Sequence, residues 1–137
     1  MNEFIEKIRK YSDYSCEDGA EDAAVEAAEK ALGLTFAEDY REYLLECGAA
    51  CADGHIFTGI NTVAEPTALW RSRHPGIKDG MYAVEIFEQD GIAAWQNGSG
   101  EVFLTRDGVS PRKLCDSMLE YVFLMERLSC AVERSEI

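Results

Sequence analysis

The chain is short of positive charge: 13 Lys and Arg stand against 26 Asp and Glu, for a formal charge of −13. That balance disfavours nucleic-acid phosphates and anionic membranes, and it favours basic partners over a Debye length of roughly 8–10 Å. Long apolar runs are missing too. No stretch approaches the ~20 apolar residues that a membrane span requires. The N-terminal MNEFIEKIRKYSDYS places Phe4, Ile8 and Tyr11 at helical spacing but lacks the apolar core, roughly 7–15 residues, of a signal peptide. A soluble, cytoplasmic protein is expected. The five cysteines are odd in number and irregularly spaced, which excludes a regular disulfide framework and suits a reducing compartment. With 137 residues, a single domain over 1–137 is expected, large enough to bury about two-thirds of its unfolded surface without a metal or disulfide staple.

What is present is acid, unevenly placed. Residues 11–70 hold 13 acids and only Lys30 and Arg41 as bases, so −11 of the −13 lies there. Within that half, the stretch LGLTFAEDYREYLLECG, residues 32–48, is the most patterned part of the chain. Thr35 and Glu38 have capping-box spacing, which predicts a helix starting near Thr35. Phe36, Tyr40, Tyr43, Leu44 and Cys47 fall on one helical stripe and are expected in the core, and Gly48 supplies a left-handed stop. Leu45 lies roughly opposite that stripe, among Glu38, Glu42 and Glu46.

The remaining elements follow from periodicity. A first helix is expected over roughly 2–12 and a second over Asp18–Leu32, with Ala20, Ala24, Ala27 and Ala31 facing a neighbour and Asp22, Glu26 and Glu29 facing out. A further turn-and-helix region runs through NTVAEPTALWRSRHPG. Met81–Phe87, Ile92–Gln96 and Val102–Thr105 are rich in β-formers and are separated by EQDG and NGSG, so they predict an antiparallel meander. In its first strand Tyr82, Val84 and Ile86 should alternate with outward Ala83 and Glu85. Ser117 and Glu120 form a second capping box, after which Met118, Val122, Met125 and Val132 keep helical spacing. The fold class is α+β: an antiparallel β-meander packed with N-terminal helices and one C-terminal helix.

Catalytic patterns are absent. Nucleophilic catalysis needs a Cys or Ser beside a base, and His55 and His74 are the only histidines. Cys47, Cys51 and His55 recur every four residues, but Gly48 and Gly54 interrupt any helix that would align them, and neither C-x-x-C nor H-E-x-x-H accompanies them. NGSG lacks the Lys and the strand-to-helix context of a phosphate loop. Trp70 and Trp95 are expected in the core, and RSRHPG is a basic island whose cations suit a helix C-terminus. No catalytic residue, cofactor or metal site is predicted.

Three stretches together carry a resemblance. LGLTFAEDYREYLLECG, MYAVEIFEQDGIAAWQNGSGEVFLTRDG and LCDSMLEYVFLMERL resemble the helix entry, central meander and closing helix of the SUKH superfamily, the bacterial immunity-protein relatives of the yeast glucan-synthesis regulator. The resemblance covers about Ala20 to Leu128, with Phe36 where the family usually has a proline. It implies a cytoplasmic protein that neutralises a cognate toxin by binding, or a regulatory scaffold of the same fold, and it brings no shared catalytic residues. A toxin with a basic surface, such as a nuclease, would be met by Asp22, Glu26 and Glu29 on one helix and by Glu38, Glu42, Leu45 and Glu46 on the next, with charge setting association and Leu45 either an interface anchor or packed beneath a neighbouring helix or the sheet.

Overall fold

A computed structural model describes residues 2–73, 76–77, 80–87, 90–106 and 109–125. Four helices are bounded as α1 (Glu3–Arg9), α2 (Asp22–Leu32), α3 (Glu38–Cys47) and α4 (Ala64–Arg73), and a fifth, α5, covers residues 118–125. The strands β1 (Ser15–Cys16), β2 (Ala50–Ala52) and β3 (His55–Ile56) form a small antiparallel sheet in sequence order. A larger antiparallel meander follows, β4 (Tyr82–Phe87), β5 (Ile92–Gln96), β6 (Val102–Arg106) and β7 (Val109–Cys115), again in sequence order. The architecture is α+β, as the patterning predicts.

Helix α3 is the hub. Tyr40, Tyr43, Leu44 and Cys47 are all buried on its inner stripe, and each fully buried aromatic contributes about 2 kcal/mol of apolar transfer energy. Phe36, at 3% exposure, belongs to the same core but precedes the helix. The buried tyrosine hydroxyls are all satisfied. Tyr40 OH bonds Thr58 Oγ1 at 2.8 Å, and that hydroxyl donates to the Ala83 carbonyl at 2.7 Å. Tyr43 OH accepts from Ala50 N at 2.8 Å and donates to the Thr58 carbonyl. Tyr82 OH accepts from Ala37 N and donates to Gln96 Oε1 at 2.6 Å.

Those bonds explain why the expected Thr35–Glu38 capping box does not form. The helix starts at Glu38 with Ala37 as an uncapped N-cap residue, because two distant side chains and one neighbour take N–H groups of its first turn and approach. Glu29 Oε2 accepts from Phe36 N, Tyr82 OH from Ala37 N, and Asp39 Oδ1 from Tyr40 N. The helix ends as expected at Gly48, with φ of +65°, where a Cβ would also overlap the Asp18 carbonyl.

The second helix is shorter than predicted, and its buried face differs. Residues 15–20 instead supply β1 and a segment that crosses the end of α3, with Glu17 N bonded to the Ala49 carbonyl and Ala20 N to the Leu44 carbonyl. On α2 it is Val25 that is buried, with Ala28, Glu29 and Leu32 half-buried, whereas Ala24, Ala27 and Ala31 are exposed. Val25 and Leu32 rotate the helix onto their own side, because they offer more apolar area than the alanines.

The meander is where the strict alternation fails. Register shifts between Ala83 and Glu85, so a β-bulge inserts one extra residue into β4. Beyond it the phase is reversed. Glu85 is 2% exposed and Ile86 is only half-buried, while Ala83, ahead of the bulge, is buried on the opposite face. Glu85 lies opposite Ala94 on the face that carries the main core of Phe4, Ile8, Tyr40, Tyr43, Tyr82, Met118 and Tyr121. The other face has a smaller core, in which Trp70 meets Trp95 edge-on at 6.5 Å beside Ile77, Met81, Ala83 and Ala93. Both tryptophans are core residues, as expected. β7 and the three short strands went unpredicted, since two- or three-residue strands show no periodicity and Pro111 breaks the pattern of β7.

Candidate functional site

The two acidic helices lie side by side, and one arginine joins them. Arg41 on α3 places Nη1 2.8 Å from Glu29 Oε1 and Nη2 3.9 Å from Glu26 Oε1, both on α2. A surface groove of about 590 Å³ runs between the helices, lined by Glu26, Glu29, Lys30, Leu34, Thr35 and Arg41. Asp22, Glu26, Glu38 and Glu46 are exposed and Glu42 is half-buried. Glu46 extends the surface toward α1, where Arg9 Nη2 lies 3.9 Å from its Oε2.

Two of the seven predicted surface residues are committed elsewhere as well. Glu29 is 12% exposed and holds both Arg41 and Phe36 N, which makes it the clasp between helices α2 and α3. Leu45 is half-buried and packs against the main core, with the Glu17–Ala20 segment passing over its backbone so closely that only glycine fits at position 19.

A second cluster was missed by the sequence pattern. Glu85 Oε1 accepts from Tyr121 OH at 2.6 Å and lies 2.8 Å from His55 Nδ1, while Oε2 accepts from Ile56 N at 3.1 Å. His55 stacks on Phe57 at 5.2 Å and is 7% exposed. Burial first, and the Glu85 carboxylate second, hold the Tyr121 phenol well above its ordinary pKa. The carboxylate thus ties β4 to β3 and to α5. Its one sequence signal was a lone acid inside an apolar strand run, and the bulge turns that acid inward.

The Cys47, Cys51 and His55 series is dispersed as the glycines imply: Cys47 ends α3, Cys51 sits in β2 and His55 in β3. Among the described residues no group of three or more His, Cys, Asp or Glu could hold a metal ion, and no helix is long and apolar enough to cross a membrane. Burial raises the Cys47 thiol and pushes Cys115 up to about 11. Asp13 is lowered by the backbone N–H groups of Asp53 and Gly54, which its carboxylate accepts at 2.6 and 3.0 Å. The expected basic island is partly structural. Arg71 donates to the Met81 carbonyl at 2.7 Å and to the Leu32 carbonyl at 3.3 Å, tying α4 to β4 and α2. His74 and Val132 lie outside the described residues.

Helices packed over antiparallel sheets, with the acids gathered on a helical surface and buried polar groups spent on internal bonds, define an acidic α+β protein that offers surfaces. The SUKH_5 family model, described as SMI1-KNR4 cell-wall, matches residues 1–99, and the chain belongs to this family. The match runs from the N-terminus through β5 and its following turn. No curated protein matches the chain. The family is known for immunity proteins and is generally non-catalytic.

Proposed function

We propose that the chain, as one binding domain over 1–137, is an immunity protein that neutralises a cognate toxin in the cytoplasm by non-catalytic protein–protein interaction. The observation that carries this reading is the contact of Arg41 with Glu26 and Glu29, which holds the two acidic helices together; on this reading Asp22 and Glu26 act with Glu38, Glu42 and Glu46 as one anionic surface. A surface of that sign speeds encounter with a basic enzyme, such as a nuclease, and a few apolar contacts then slow its release. Glu29 serves as the clasp that holds the surface together, and Leu45 supplies apolar area at its edge. Family membership supports the same reading.

A second reading, a regulatory binding protein without a toxin partner, draws on the cell-wall term in the family description. The experiment that separates them reads the neighbouring gene for a toxin-like domain and co-expresses that domain with the chain. Rescue of growth, with a complex recovered on affinity resin and lost on Glu38→Lys/Glu42→Lys, supports immunity. Growth arrest despite abundant folded protein overturns it.

A further inference from the structure

Arg106 on β6 and Arg112 on β7 are exposed cations with no carboxylate partner among the described residues, in a chain with twice as many acids as bases. Three other bases are paired: Arg9 with Glu46, Arg41 with Glu26 and Glu29, and Lys113 with Glu101 at 2.8 Å and Asp116 at 2.6 Å. The register sets Arg106 opposite Ile92 and Arg112 opposite Leu104, and residues opposite one another in an antiparallel ladder share a face. Both arginines therefore rise from the face that carries Ile92 and Leu104. A cavity of about 450 Å³ opens there, with half-buried Ile92, Leu104 and Leu114 along it and the two arginines beside them.

We propose that this groove is a second interaction surface, which takes an acidic segment of a protein partner: its carboxylates on Arg106 and Arg112, and one large apolar side chain against Ile92, Leu104 and Leu114. The proposal is independent of the toxin reading of the α2–α3 surface. Guanidinium forks match carboxylates with two parallel hydrogen bonds, and an adjoining apolar floor gives an anchor side chain somewhere dry to go. An anionic lipid surface would offer the same charge, but the acid-rich half of this chain repels it. Among the described strands β7 lies at the edge of its sheet, yet Pro111 removes a donor from it, so the edge is blunted against strand addition and recognition falls to side chains across the face.

The test uses a fluorescein-labelled peptide in which a Leu-Phe pair is flanked on each side by two glutamates, titrated against the full chain by fluorescence anisotropy. Saturable binding is expected, weaker by about tenfold or more when glutamines replace the glutamates and when the protein carries Arg106→Ala/Arg112→Ala, with an intermediate loss for Arg112→Lys. Both arginines are exposed, so an unchanged melting temperature establishes that the variants fold. Amide shifts in the bound wild-type protein should centre on Ile92, Leu104 and Leu114. No binding up to millimolar peptide, equal binding of the glutamine peptide, or shifts confined to α2 and α3 would overturn the proposal. So would phosphatidylglycerol vesicles that bind through the two arginines while the acidic peptide does not.

Discussion

Tyr121 donates its hydroxyl to Glu85 Oε1 at 2.6 Å, joining the final described helix to the strand bulge across 36 positions of sequence. With His55 Nδ1 on the same oxygen, the carboxylate is paired on several sides in a site 2% exposed to solvent. Removing it strands the partners it leaves. Glu85→Ala is expected to cost about 3 kcal/mol, and Tyr121→Phe about 1–2 kcal/mol, in urea unfolding. A loss under about 0.5 kcal/mol for both would mean that the network adds little beyond packing.

Asp39 is the corresponding tie on the other side of the core. Its carboxylate accepts from Tyr40 N at 2.7 Å, Gln96 Nε2 at 2.9 Å and Met118 N at 3.0 Å, linking α3, β5 and the start of α5. Asp39→Ala should destabilise by about 2–3 kcal/mol, and hydrogen exchange at Met118 should quicken more than in the strands. Uniform acceleration over the whole chain would show that α5 is held by other contacts.

On the α2–α3 surface, kinetics distinguish charge from anchor. Glu38→Lys with Glu42→Lys should slow association with a basic partner and flatten its salt dependence, whereas Leu45→Ala should mainly speed dissociation. Because Leu45 also touches the main core, its truncation should lower stability by about 1–2 kcal/mol, which a parallel unfolding curve measures. Unchanged kinetics for all three substitutions in folded protein would move the interface elsewhere.

Alkaline pH should weaken the fold before acid does anything comparable at the thiols. Burial carries the Cys115 thiol from its ordinary 9.0 to about 11, so between those values the unfolded chain releases a proton that the folded chain keeps. The folded state then binds more protons, and stability falls as pH rises through that window. Tyr40, Tyr43, Tyr82 and Tyr121, all raised by burial, add the same sign at higher pH. Calorimetric melting temperatures should decline above pH 9, less steeply in Cys115→Ala; an identical decline in that variant would remove Cys115 from the explanation.

The readable parts of this chain are those where one local signal decides. Tyr40, Tyr43, Leu44 and Cys47 repeat at helical spacing, Gly48 stops the helix, and the NGSG turn sets β5 against β6, so α3 and the meander were legible. Thr35 and Glu38 misled because Tyr82 and Glu29, distant in sequence, supply acceptors that a local rule cannot see. Glu85 was hidden for a related reason. Period-two alternation is blind to an inserted residue, and the bulge at Ala83 and Glu85 reverses the phase without any change in composition. Of the acidic surface, the residue types were readable and the clasp was not, since Arg41 chooses its partners only once α2 has docked.

The two tryptophans both belong to the smaller core, whereas Tyr40, Tyr43, Tyr82 and Tyr121 all belong to the larger one. The molecule therefore carries separate optical reporters for the two sides of its meander. Indole emission reads the side of Trp70 and Trp95, and their edge-on approach at 6.5 Å is close enough for excited-state coupling to mark the near-ultraviolet dichroism. Phenol absorbance reads the opposite side, where α1, α3 and α5 pack. Unfolding followed at both wavelengths asks whether the two layers melt as one cooperative body, without a label or a substitution anywhere in the chain.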